Sequence, residues 1–289
     1  MNKKIIILLV IISSFGCYCK KSNDIESSIK ESHQKSIPGI YYSEIVLDDF
    51  YIYLNLPSGY NDTASQGYHV VYLLDGDWYF NSFVERTSDG GTVAIFSKLN
   101  SKELIPKVIT VGIGYPEENL RERDFLYPHN PRNPKSGGAE NFYNFLKDEL
   151  IPRIDSLFNT QKDKGRTLIG HSYGGYFTMY SLFHYRSNEQ LLSNNYLAIS
   201  PSNSYSTKYL NDLDELMAID NNKLPVNLYM SVGDLEWANM QIGFDTIVNR
   251  FNTRNYDGFN FKPKRYVNKD HGTVVIPSIE DGMIWFFNQ

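Results

Sequence analysis

Apolar positions along this chain alternate between two rhythms. Short unbroken runs appear at 68–74 (YHVVYLL), 107–113 (KVITVGI), 167–169, 196–199 and 226–232 (VNLYMSV). Runs of that length, rich in β-branched and aromatic residues, suit strands buried on both faces of a parallel sheet. Between them the apolar residues return at helical spacing. The longest such stretch is 138–158, where Phe142, Phe145, Leu146, Leu150 and Ile154 share a face and Pro152 predicts a bend. Further helices are expected at 92–99, 176–184, 238–251 and 278–287, the last with Ser278 and Asp281 at capping-box spacing. Residues 41–56 alternate instead, which predicts two strands joined by a tight turn at Asp48-Asp49, and 261–267 reads as a final strand. Strands alternating with helices predict an α/β fold with a mostly parallel central sheet and helices on both faces.

Two stretches stand outside that alternation. Residues 115–137 carry Pro116, Pro128, Pro131 and Pro134 together with Arg121, Arg123 and Arg132. A loop of this length predicts either a functional segment or a solvated surface loop. The loop follows a predicted strand, and ligands of open α/β sheets bind at the carboxyl ends of strands. Arg121 and Arg123 are therefore candidate substrate contacts; the competing reading pairs one arginine with Asp124 to pin the loop.

The other stretch is the N-terminus. Lys3 and Lys4 precede an apolar core at 5–12, and Ser13, Ser14 and Gly16 are the small residues of a cleavage site. Residues 1–19 read as an export signal. Cys17 after Gly16 resembles the lipidated first residue of a bacterial lipoprotein, with plain secretion as the alternative. Residues 20–37 are a polar linker, and the folded domain is expected at 38–289.

Cys17 and Cys19 are the only cysteines, so the domain has no disulfide and no thiolate metal site. A length of 289 residues suffices for one large α/β domain. The net charge of −5 argues against nucleic acid as a partner.

The candidate chemistry centres on Gly170-His171-Ser172-Tyr173-Gly174, followed by Gly175. A predicted strand precedes this G-x-S-x-G pattern and a predicted helix follows it, the context of a nucleophile elbow. Such a turn strains the serine backbone and needs glycines where neighbouring side chains would collide. The bland alternative is a glycine-rich turn with an N-capping serine. A serine hydroxyl is a weak nucleophile and needs a base, which in turn needs an orienting acid. In this fold the chain order is serine, acid, histidine. Two histidines lie downstream of Ser172. His184 falls within the following helix and is expected to point away, which leaves His271 in the loop Lys269-Asp270-His271-Gly272. The acid is expected after the strand 226–232, in Gly233-Asp234-Leu235-Glu236. The G-x-x-E spacing favours Glu236, with Asp234 as the alternative.

The oxyanion needs two backbone N–H donors. Tyr173 supplies one. The other is expected after the strand ending at Leu74, from Asp77 or alternatively Gly76. An acidic side chain at 77 has to point away from the developing charge. Trp78, beside it, is a candidate substrate-binding residue.

The segments VVYLLDGDW, VITVGIGYP, RERDFLYP, RTLIGHSYGG, LAISPSNSY, LYMSVGDLE and DHGTVVIPSIEDGMIWFF together resemble the Putative esterase family of α/β-hydrolases. That family includes enterobactin-type and esterase D-like serine hydrolases. The resemblance covers nearly all of the chain from about residue 41 onward. It implies an α/β-hydrolase fold, with Ser172 as nucleophile, His271 as base and Glu236 as acid. It further implies carboxylic ester hydrolysis through an acyl-enzyme, on a small-molecule ester of siderophore-lactone, acetyl or feruloyl type. No metal or organic cofactor is implied. An acyltransferase using the same residues, or a non-catalytic binding module of the same fold, are the alternatives. Export to the periplasm or outer membrane, with membrane attachment through Cys17, completes the expectation.

Overall fold

The structure, a computed structural model, describes residues 37–82, 90–162, 165–184, 191–220 and 223–289. The export signal, Cys17 and most of the polar linker lie outside the described residues. In chain order the elements are β1 (Gly39–Ser43), β2 (Asp48–Asn55), β3 (His69–Leu74), α1 (Gly76–Tyr79), α2 (Gly91–Ser101), β4 (Val108–Gly114), α3 (Arg121–Phe125) and α4 (Ala139–Asn144). A π-helical stretch (Phe145–Leu150) joins α4 to α5 (Ile151–Leu157). Then come β5 (Arg166–His171), α6 (Tyr173–Phe183), β6 (Asn195–Ile199), a 3-10 turn (Asn203–Tyr205) and α7 (Thr207–Asp220). The last elements are β7 (Asn227–Gly233), α8 (Ala238–Phe251), β8 (Asn260–Tyr266) and α9 (Val275–Phe287).

The eight strands form one sheet in the order β1-β2-β4-β3-β5-β6-β7-β8. β1, β2 and β4 pair antiparallel, and every pairing from β4 through β3 to β8 is parallel. All residues of β3, β4, β5 and β6 are buried, which is why their sequences read as unbroken apolar runs. Their side chains alternate between two cores. Tyr72, Leu74, Leu168 and Tyr196 join the core under α4 to α8, while Val71, Leu73, Ile169 and Leu197 join the one under α2 and α9. The edge strand β8 is mostly exposed and carries Lys262, Lys264 and Arg265, charges that discourage pairing with another sheet edge.

Two local expectations fail, and one helix was not foreseen. The turn before β2 lies at residues 44–47, not at Asp48-Asp49, which pair with Ser43 and Tyr42 as the first residues of β2. Ser43 closes that turn: its carbonyl accepts from Leu47 N at 2.9 Å and its hydroxyl from Val46 N at 3.0 Å. Ser278 and Asp281 form no capping box, because α9 starts earlier. Asp270 accepts from Thr273 N at 2.8 Å and from Gly272 N at 3.1 Å, and opens the turn there. Ser278 lies inside the helix with its hydroxyl on the Val274 carbonyl, and Asp281 accepts from Tyr266. The helix α7 has no counterpart in the sequence reading. Only Leu210, Leu213 and Met217 of its apolar residues are buried hydrophobic anchors, while Leu216 and Ile219 face solvent, so its periodicity is blurred.

His69, at the start of β3, is buried and pairs through Nε2 with Thr167 Oγ1 at 2.7 Å. Burial lowers its pKa from 6.5 to about 4. Between those values the unfolded chain binds a proton that the folded chain excludes, so stability falls as pH falls from 6.5 to about 4. The expected slope from this group is about 1.4 kcal/mol per pH unit. Urea unfolding of His69→Gln over that range should show a flatter pH dependence than wild type; parallel curves would contradict the assignment.

Candidate active site

Ser172 stands where β5 turns into α6, with φ 60° and ψ −115°. Three hydrogen bonds hold this strained backbone: Ser172 N donates to the Ile199 carbonyl at 3.0 Å, and the Ser172 carbonyl accepts from Tyr176 N at 2.9 Å and Ser202 N at 3.0 Å. The flanking glycines are required by close approach. A Cβ on Gly170 would lie 2.2 Å from the Gly174 carbonyl oxygen, and one on Gly175 would lie 2.8 Å from that of Ile199. The Ser172 hydroxyl therefore stands at the first turn of α6, whose N-terminus favours negative charge.

His271 occupies the loop between β8 and α9. Its Nδ1 lies 2.8 Å from Glu236 Oε2, and the Glu236 side chain is fully buried. The other oxygen of Glu236 accepts from Gly233 N at 3.0 Å and from the Ser200 hydroxyl. Three donors converge on one carboxylate, fixing both its orientation and that of the imidazole. Asp234, the alternative acid, is exposed, and its carboxylate meets only Lys269 N at 3.4 Å among the described residues; the geometry pairs His271 with Glu236. Ser172 and His271 line a common cavity of about 420 Å³ with Ser202, Ser204, Tyr205 and Trp237. Among the described residues the hydrogen-bond partner of Ser172 Oγ is Ser202 Oγ at 3.4 Å. Contacts between nucleophile and base often tighten only when substrate binds. His184 lies at the far end of α6, stacked on Tyr180 at 4.6 Å.

The three candidate oxyanion donors each lie in the first turn of a helix. Tyr173 N opens α6, and Gly76 N and Asp77 N open α1. None of the three has an acceptor among the described residues. The Asp77 carboxylate turns away, accepting from Tyr53 OH at 2.8 Å and Tyr115 N at 3.0 Å.

Arg121 and Arg123 each have partners within the protein. Arg123 pairs with Asp124 at 2.7 Å and Asp48 at 2.5 Å, which pins the loop to β2. Arg121 is a bidentate partner of fully buried Asp75, at 2.8 and 2.9 Å, and donates to the His171 carbonyl at 3.2 Å. Burial disfavours its charge and Asp75 favours it, leaving its pKa above the ordinary value. Both guanidiniums find carboxylates within the protein, the partners they match best. Arg121 lies 4.9 Å from the Trp78 ring and 5.1 Å from that of Tyr173. Trp78 borders an adjoining cavity of about 540 Å³ with both arginines.

Sequence reasoning missed two residues. The Ser200 hydroxyl on Glu236 has no signature beyond its place after β6. His171 is buried between Tyr79 OH, 2.8 Å from Nδ1, and the His271 carbonyl, 2.8 Å from Nε2. Nε2 must carry the proton to donate to a carbonyl, so Nδ1 accepts from Tyr79. Burial, followed by the neighbouring His271 and Arg121, holds the His171 pKa well below the ordinary value. The neutral ring thus ties the loop that carries His271 to the turn at Ser172. Its position inside G-x-S-x-G was the available signal.

Comparison with known proteins follows the same lines. The family model described as "Putative esterase" matches residues 43–204, over half of the chain. The ferri-bacillibactin esterase BesA of Bacillus subtilis is 30% identical over 203 residues, an alignment covering 65% of this chain and 66% of that protein. The siderophore enterobactin esterase of Emericella nidulans is 26% identical, covering 78% of this chain and 84% of that protein. The crystal structure of the BES protein from Bacillus cereus superposes with a TM-score of 0.71 at 30% identity, covering 85% of this chain and 92% of that one.

A substitution separates the tether role of His171 from simple packing. His171→Leu should lower kcat about a hundredfold with KM little changed, since displacing a reacting group by an ångström costs that much. His171→Gln, which restores a donor toward the His271 carbonyl, should recover most of it. Equal losses in both variants would mean the donor is irrelevant.

Proposed function

The chain belongs to the Putative esterase family of α/β-hydrolases, and we propose that it is a serine carboxylic ester hydrolase acting on a siderophore-type lactone ester. One observation carries the reading: His271 is held against buried Glu236 on the wall of the cavity that Ser172 also lines. The names of the Bacillus and Emericella relatives support the substrate class.

In this reading Ser172 Oγ attacks the ester carbonyl carbon while His271 Nε2 takes its proton. Glu236 stabilises the imidazolium and keeps Nδ1 protonated. The oxyanion accepts from Tyr173 N–H and from Asp77 N–H, with Gly76 N–H as the alternative second donor. His271 then protonates the leaving alcohol, and water repeats the sequence to release the acid and free Ser172. Trp78 walls the adjoining cavity on the substrate side. The catalytic domain runs over 38–289, behind an export signal at 1–19 and a tether at 20–37. Cys17 is the lipidated residue, placing the enzyme on a membrane facing the periplasm or the exterior.

Three measurements test these assignments. Ser172→Ala should lower turnover by about a thousandfold or more and abolish fluorophosphonate labelling, with the melting temperature near wild type; labelling retained at another serine would move the nucleophile. Glu236→Gln should reduce kcat by roughly a hundredfold or more, far beyond the effect of Asp234→Asn; the reverse ranking would exchange their roles. The wild-type protein should partition with membranes, and Cys17→Ser should release it; a soluble wild-type form would leave plain secretion.

A further inference from the structure

The loop after β6 returns to the candidate nucleophile and brings a second hydroxyl with it. Ser202 N donates to the Ser172 carbonyl at 3.0 Å, and the Ser202 carbonyl accepts from Tyr205 N at 2.9 Å. Both backbone groups of Ser202 are thereby fixed relative to the turn at Ser172. The residue is buried, and its Oγ lies 3.4 Å from Ser172 Oγ. Among the described residues Ser172 Oγ is its one hydrogen-bond partner. That separation is long for a bond between hydroxyls, so Ser202 stands beside the nucleophile without binding it tightly.

Sheet order decides from which side this hydroxyl comes. β5 lies between β3 and β6, and β7 and β8 follow β6. The oxyanion donor candidates Gly76 N and Asp77 N come from the helix after β3. Ser202, Glu236 and His271 come from the connections after β6, β7 and β8. Ser202 thus reaches Ser172 from the side of the base, and it lines the same cavity as His271. On that side the leaving alcohol departs and the hydrolytic water enters, because the base exchanges a proton with each. A serine hydroxyl has one proton and two acceptor positions. With its proton directed at Ser172 Oγ, Ser202 Oγ offers its lone pairs to a molecule in the cavity. Water attacking an acyl-enzyme gives one proton to the base and keeps the other, which needs an acceptor. An alcohol in the same place carries carbon there and has no use for that acceptor.

We propose that Ser202 Oγ accepts the retained proton of the attacking water and thereby makes the acyl-enzyme choose water over alcohols. The proposal rests on the esterase reading and specifies what makes it a hydrolase rather than an acyltransferase. In this step the water oxygen bonds to the acyl carbon while its first proton passes to His271 Nε2. The bond from that carbon to Ser172 Oγ then breaks, and His271 returns the proton to Ser172 Oγ. The second proton leaves on the acid product, and Ser202 keeps its own proton throughout.

The test is a partition experiment. The protein turns over p-nitrophenyl acetate in buffer containing methanol, and NMR reads the ratio of methyl acetate to acetate. Both products come from one acyl-enzyme, so the ratio does not depend on how fast that intermediate forms. Ser202→Ala should raise the ratio about tenfold over wild type, the upper worth of one net hydrogen bond. Labelling of Ser172 by a fluorophosphonate, which reports acylation alone, should stay within about twofold of wild type. Ser202→Thr, which keeps the hydroxyl oxygen, should return the ratio toward the wild-type value. Ser202→Cys, with a weak acceptor in its place, should raise the ratio as alanine does and serves where the alanine variant does not fold. An unchanged ratio in the alanine and cysteine variants overturns the proposal and leaves the esterase reading standing. Slower labelling with an unchanged ratio also overturns it, because Ser202 then only orients Ser172. A wild type that neither releases p-nitrophenol nor takes the label overturns the esterase reading itself, and the proposal with it.

Discussion

The backbone of Ser172 is the constraint on which the site depends. A side chain at φ 60° is strained, and it persists because β6, its following loop and α6 each supply a hydrogen bond to that one residue. The strain lifts the hydroxyl out of the sheet and brings it to the end of α6. The cost is met by the surroundings: the glycines at 170 and 175 let backbones approach closely enough for those bonds to form.

A second layer holds the loops that meet at the elbow. Asp75, at the end of β3, pairs with Arg121 from the loop after β4, and Arg121 reaches the His171 carbonyl at the end of β5. His171 in turn holds the carbonyl of His271. Connections at the carboxyl ends of three neighbouring strands, β4, β3 and β5, are thereby joined by directional bonds to one another and to the loop after the edge strand β8. Breaking such a pair by removing one partner costs about 3–5 kcal/mol, because the other charge is left uncompensated. Rigidity here serves positioning, since the donors and the base must be in place before charge develops.

The arginines of the long loop find their partners far away in the chain. A guanidinium matches a carboxylate of the protein by the same bidentate geometry as one on a ligand, and sequence cannot say which is nearer. Asp75 and Asp48 lie 46 and 75 positions from their partners, so no local pattern linked them. The cavity beside Ser172 has no lysine, arginine, aspartate or glutamate in its lining among the described residues.

Several features were determined by the sequence alone. Unbroken apolar runs fixed the inner strands, because a strand buried on both faces has no polar side to alternate. Gly170, Ser172, Gly174 and Gly175 specified the elbow, because a tight turn excludes side chains at set offsets. The order of serine, carboxylate and histidine placed the candidate acid, Glu236 or Asp234, and His271 on loops after successive strands. Only the tertiary structure decided between Glu236 and Asp234, turned the Asp77 carboxylate toward Tyr53 and made His171 a tether. It also bound Arg121 and Arg123 inside the protein. Each of those outcomes depends on a partner brought close by the sheet order, and distance through space between residues far apart in the chain is what a local pattern cannot encode.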